Sequence, residues 1–216
     1  MTEEGNGTAQ RAVIIEARSS FAILRINRPA ERNSLSVATL EELDSAISSI
    51  KARTNISAII FTGTDDVFAS GANIRELRQL TPATAREFAK RGQRLFQQIA
   101  DAKQLTIAAV NGYCMGGALD LALACDLRCA SPDAIFAHPG ARLGIITGWG
   151  GTQRLHALIG HARAIEMFTT ARRINADEAL EIGLVSRIHA DALVCALEAV
   201  NLQAADAALD HHPAAR

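Results

Sequence analysis

Two apolar runs open the patterned part of the chain, VIIE (13–16) and FAILRIN (21–27), with Ser19 and Ser20 between them. That arrangement predicts a hairpin-like pair of strands. Pro29 fixes its own φ and disfavours helix just before it, so 28–33 reads as a loop. From Val37 to Lys51, Leu40, Leu43, Ile47 and Ile50 recur at helical spacing. AIIFTG (58–63) and LTIAAV (105–110) are continuous apolar runs, the mark of buried strands. Helices are predicted over 82–101, 118–125, 161–170 and 176–183, with another starting near Thr152. Short strands are predicted over 126–131, 134–137 and 184–188. Asn73 and Glu76 have the spacing of a capping box at a helix start. NGYCMGG (111–117) reads as a tight glycine-rich turn, and 138–155 as a long loop with five glycines. Strands alternating with helices predict an α/β fold.

The 216 residues suit one domain. The expected division is a flexible N-terminal arm (1–10), a core domain (11–189) and an alanine-rich helical tail (190–216). A hydrophobic share of 49% excludes a disordered chain. A net charge of -1 gives no basic field for nucleic acid or an anionic membrane surface. No run reaches the roughly 20 apolar residues of a membrane span. The polar, acidic start lacks the features of a signal peptide, so a cytoplasmic protein is expected. Cys114, Cys125, Cys129 and Cys195 form no C-x-x-C pair, so no metal is expected and the thiols are read as reduced.

The chemistry concentrates at two strand-to-helix turns. Gly116 and Gly117 precede one helix, and Ser70-Gly71-Ala72 precedes another. Peptide N–H groups at two such turns can converge on one carbonyl oxygen and stabilise an oxyanion. Each turn alone also fits a plain structural role.

These segments carry a resemblance. RINRPAERNSL, FASGANIREL, AAVNGYCMGGALDLALACDLRCAS, LGIITGWGGTQRL and RRINADEALEIGLVSRI occur in the order found in the enoyl-CoA hydratase/isomerase (crotonase) superfamily, from about residue 13 to 189. The resemblance implies a crotonase-like spiral of ββα units with a shortened helical C-terminal region. It implies acyl-CoA as substrate, no cofactor, and a homo-oligomer (a trimer or a dimer of trimers).

By the same resemblance, Ala72 and Gly117 match the oxyanion-hole donors. Arg28, Ala30 and Arg32 lie in the segment that lines the CoA groove. Ser70, Gly71, Gly116, Gly140 and Trp149 fall in the substrate-binding segments. Asp120 matches the first catalytic glutamate of the hydratases, shortened by about 1.5 Å. The second glutamate matches Gly140, and the further acid of dienoyl isomerases matches Gly148; both places lack a side chain. His138 is the alternative base, and Arg142 and Thr147 are further polar residues nearby. Isomerisation, thioester hydrolysis and decarboxylation therefore stand beside hydration, as does a non-catalytic acyl-CoA binder. A more distant alternative is a cysteine nucleophile elbow, G-x-C-x-G at 112–116, with Asp133 or Asp177 and His189 completing a triad.

Overall fold

The computed structural model describes residues 11–210, so the predicted arm over 1–10 lies outside the described residues. Two sheets organise the chain. The larger has six strands in the order β1-β2-β3-β5-β7-β10: β1 (Val13–Ala17), β2 (Phe21–Ile26), β3 (Ala58–Thr62), β5 (Leu105–Val110), β7 (Leu127–Ala130) and β10 (Arg187–Ile188). β1 and β2 form the predicted antiparallel pair, and every other pairing is parallel. The smaller sheet holds β4 (Val67–Ala69), β6 (Tyr113–Met115), β8 (Ile135–Ala137) and β9 (Ile174–Asn175), in that order.

A central strand of the large sheet is covered on both faces, which explains its unbroken apolar sequence. Ile59 and Phe61 of β3, with Ala108 and Val110 of β5, join the main core. Their alternate neighbours Ala58, Ile60, Ile107 and Ala109 join a second cluster on the opposite face. The main core is filled by α1 (Val37–Lys51), α3 (Pro82–Ala100) and α4 (Gly117–Ala124), with α5 (Gly151–Ile159), α6 (His161–Thr170) and α7 (Ala176–Glu181). The second cluster is closed by α8 (Ala192–Asp210), through Ala192, Cys195, Ala196 and Val200. The segment read as a tail thus forms a layer of the sheet's own packing. No described helix is long and apolar enough to cross a membrane.

The strands repeat one step. β3, β5 and β7 each run in the large sheet, and each is followed by a short strand of the small sheet (β4, β6, β8) and then by helix. This is the expected spiral of ββα units. Its consequence is positional: β4 and β6 are parallel neighbours, so the turns that leave them emerge side by side.

Three local expectations change. The 111–117 stretch is not all turn, because Tyr113–Met115 pairs as β6. Within the predicted 138–155 loop, Pro139–Leu143 forms a 3-10 helix. Asn73 does cap the four-residue α2 (Ile74–Leu77), accepting from the Arg75 N–H, but the capping box is absent. Glu76 Oε2 instead accepts from the Val37 N–H at 3.0 Å. A carboxylate is favoured at the start of the fifteen-residue α1, where unpaired N–H groups and the helix dipole favour negative charge.

Candidate active site

The two turns meet as their sequence suggested. Gly71 follows β4 with φ +88°, and Gly116 follows β6 with φ +56°. Both conformations favour glycine. A Cβ on Gly71 would stand 2.5 Å from the Met115 carbonyl oxygen and 3.1 Å from the Gly117 nitrogen, so the turns touch backbone to backbone. A bridge between Leu35 and Ala72 holds the first turn, with the Leu35 N–H donating to the Gly71 carbonyl at 2.8 Å. Buried Asn33 braces the approach to it. Its Oδ1 accepts from the Arg28 N–H at 2.8 Å, and its Nδ2 donates to the Val67 carbonyl of β4 at 2.7 Å. Gly117 is the first residue of α4, where an N–H has no intrahelical partner. Among the described residues, neither the Ala72 nor the Gly117 N–H donates to a backbone acceptor outside regular elements.

A cavity of about 250 Å³ opens on these turns. Ser70, Gly71, Ala72, Gly116 and Gly117 form one side; His138, Gly140 and Trp149 line it too. The rest is mainly apolar, including Leu77, Phe88 and Leu143. Ile145 and Ile146 border it while exposed to solvent. Trp149 is buried against Phe88 and Phe96, and its ring occupies the space where a Gly117 Cβ would stand.

Ser70 also borders a neighbouring recess of about 380 Å³, which Arg32, Arg142 and Arg173 line. Arg32 pairs with Asp66 at 3.3 Å and lies over the Tyr113 ring. Arg28 and the exposed Ala30 line neither space. The structure therefore brings Arg32 toward the site and leaves those two residues outside it. Arg142 and Arg173 stand 31 positions apart, and only the fold brings them together.

Asp120 lies in the first turn of α4 and is fully buried. Burial pushes its carboxyl up to about 7; the Thr147 hydroxyl, the Trp149 N–H and the Arg154 charge partly oppose this. Thr147 Oγ1 donates to Asp120 Oδ2. A Cβ on Gly151 would fall 2.0 Å from Asp120 Oδ1, so this glycine makes room for the carboxyl. His138 Nε2 stands 3.4 Å from Asp120 Oδ1. Among the described residues neither atom has a hydrogen-bond partner, and burial pulls the imidazole down to about 4. A neutral ring makes no ion pair, so this proximity is a polar contact only.

Gly140 adds no second carboxyl. A Cβ there would stand 2.5 Å from the Ile145 carbonyl oxygen, so packing as well as sequence denies the place a side chain. At Gly148 a Cβ would find only an ordinary contact with Ala89.

The cysteine-nucleophile alternative fails on geometry. Cys114 is fully buried, and burial raises its thiol further, with a contribution from Asp120. A nucleophilic thiol needs exposure and a depressed pKa. Asp133 and Asp177 are exposed, and the His189 ring bonds within its own loop to Asp191. Among the described residues, no group of three or more His, Cys, Asp or Glu side chains is placed to hold a metal ion.

Residues 16–213 match the family model described as enoyl-CoA hydratase/isomerase. The chain is 40% identical over 177 residues to the short-chain-enoyl-CoA hydratase of Clostridium acetobutylicum, covering 82% of this chain and 68% of that one. It is 41% identical over 181 residues to the crotonyl-CoA hydratase of Syntrophomonas wolfei, covering 83% and 70%. Among solved structures, the enoyl-CoA hydratase of Bacillus anthracis superposes with a TM-score of 0.82 at 34% identity, covering 89% of this chain and 75% of that one.

Proposed function

We propose how this chain, which belongs to the enoyl-CoA hydratase/isomerase family and is an acyl-CoA enzyme of that family, carries out its chemistry. The thioester carbonyl oxygen lies between the Ala72 and Gly117 N–H groups, and the acyl chain enters the apolar cavity. Charge moves onto that oxygen as a proton leaves the carbon beside the thioester. Two preset peptide dipoles stabilise the resulting enolate in a site shielded from water. Asp120 holds the proton. With its carboxyl near 7, the group takes up and returns a proton at little cost near neutral pH. His138 stays neutral beside it. The CoA phosphates sit over the recess lined by Arg32, Arg142 and Arg173.

The observation that supports this reading is the contact between the two glycine turns, with Ala72 and Gly117 both lining one cavity. Proton shuttling by one carboxyl suits double-bond isomerisation. Hydration requires a second group to activate water, and Gly140 supplies none. The relatives named as hydratases keep hydration as the second reading. The only cofactor chemistry needed is the CoA carried by the substrate. A homo-oligomer is proposed, a trimer or a dimer of trimers.

Proton NMR of 3-butenoyl-CoA and of crotonyl-CoA with the protein in D2O tests the reading. Deuterium entering the acyl chain, with or without isomerisation, is expected. A 3-hydroxybutyryl-CoA product establishes hydration. 3-Butenoyl-CoA, which carries acidic C2 protons, overturns the enolate reading if it neither exchanges at C2 nor isomerises.

A further inference from the structure

Asp120 has no direct way to touch a substrate. Its side chain is fully buried and forms no part of the cavity wall. Two of its neighbours do line that wall, Thr147 and His138. They differ in how they meet the carboxyl. Thr147 Oγ1 is hydrogen-bonded to Oδ2, whereas His138 Nε2 faces Oδ1 without a hydrogen bond. A proton on His138 would place a charge on a ring that is 3% exposed. The threonine avoids that cost, because a hydroxyl passes one proton on as it receives another and never carries net charge. Thr147 Oγ1 makes no other hydrogen bond among the described residues, so its lone pairs remain to accept. Gly151 accommodates both partners. A Cβ there would fall 2.0 Å from Asp120 Oδ1 and 2.9 Å from Thr147 Cγ2.

We infer that Thr147 is a catalytic residue, whose hydroxyl carries the proton between the carbon beside the thioester and Asp120. The inference rests on the enolate reading above. As the C–H bond breaks, its proton forms a new O–H bond on Thr147 Oγ1. The original Thr147 O–H bond breaks in the same step, and that proton goes to Asp120 Oδ2. The electron pair of the C–H bond remains in the enolate, with its oxygen between the Ala72 and Gly117 N–H groups. Running the relay backwards returns the proton to carbon. No oxidant, reductant or further reactant is consumed.

Butyryl-CoA in D2O provides the test, because exchange at C2 reports proton removal without hydration or isomerisation. Thr147→Val keeps the shape and removes the hydroxyl. It is expected to lose roughly 100-fold or more in exchange rate, with butyryl-CoA binding unchanged. Thr147→Ser is expected to restore most of the rate. Thr147→Val exchanging like the wild type while Asp120→Asn is inactive overturns the relay and leaves the enolate reading standing. So does Thr147→Ser exchanging as slowly as Thr147→Val with binding intact. Failure of the wild-type protein to exchange overturns the enolate reading itself, whereas full exchange by both Thr147→Val and Asp120→Asn overturns the relay and Asp120 as the group that holds the proton. If the valine variant does not fold, the wild-type protein decides. Tritium washout from C2-labelled butyryl-CoA slows in D2O when the threonine O–H is in flight, and an unchanged rate overturns the relay.

Discussion

Helix α4 ends in two opposite ways. At its C-terminal end one side chain gathers several carbonyls. Arg128, 9% exposed, donates to the carbonyls of Cys125 (2.7 Å), Leu184 (2.8 Å), Ala122 and Asp126 (3.4 Å each). A buried cation there complements the negative end of the helix dipole and ties α4 to the chain after α7. The N-terminal end has no side-chain cap, a free leading N–H, and a first-turn carboxyl whose Oδ1 lacks a partner. The same backbone thus carries a closed polar network at one end and an open one at the other. Unmet polar groups reduce stability. Among the described residues, the unmet polar groups of α4 lie at the end nearer the cavity, where Gly117 lines the wall and Asp120 lies buried behind it.

Three changes break or sharpen this contrast. Asp120→Asn has the largest expected effect, lowering deuterium exchange by roughly 10²–10⁴-fold. It should also reveal the cost of the open end. The native carboxyl keeps its proton up to about pH 7, while the ordinary value is 3.8. The native state therefore binds more protons than the unfolded chain in that window, and stability from this group falls as pH rises through it. His138 acts in the opposite sense, because its folded value lies near 4 against an ordinary 6.5. Its contribution is lost as pH falls through that range, so the two slopes offset one another between about pH 4 and 6.5. Asp120→Asn removes only the first. Its stability gain over wild type, measured by urea denaturation, should grow from pH 4 to pH 8 by on the order of 2–4 kcal/mol.

Arg128→Met comes next. It leaves buried carbonyls without donors at the closed end, and a loss of about 3 kcal/mol is expected in the same denaturation experiment. The smallest effect is expected at Cys114, in β6 just ahead of α4. Its sealed thiol should resist a disulfide reagent in the native protein, and Cys114→Ala should keep its exchange activity while costing about 1 kcal/mol.

The sequence made some of this legible and hid the rest for physical reasons. α1 was readable because Leu40, Leu43, Ile47 and Ile50 are local signals, and α3 begins at Pro82 as the sequence predicted. The small sheet was not fully readable. Its strands have two or three residues, too few to display an alternation, and Tyr113–Met115 sits inside a glycine-rich stretch that resembles a turn. Glu76 had the spacing of a capping box, but its partner lies 39 residues away. In the site, Gly71 and Gly116 were legible because their positive-φ turns favour glycine. The Thr147–Asp120 bond joins residues 27 positions apart, and Thr147 itself lies in a stretch without periodicity, so it stood out only as one polar residue among several. Arg28 lay close to Arg32 in sequence, yet of the two only Arg32 lines the basic recess.

The layer formed by α8 has a consequence for the order of assembly. The face of the large sheet carrying Ile23, Ile60 and Ile107 is covered by Ala192, Cys195, Ala196 and Val200, more than eighty residues further along the chain. Contacts so distant in sequence are slow to form, because loop closure must come before any packing is gained. Until that last helix docks, a nascent molecule presents a bare apolar strand surface to its surroundings. Such a surface is adhesive, and it is the part of this protein most in need of a chaperone.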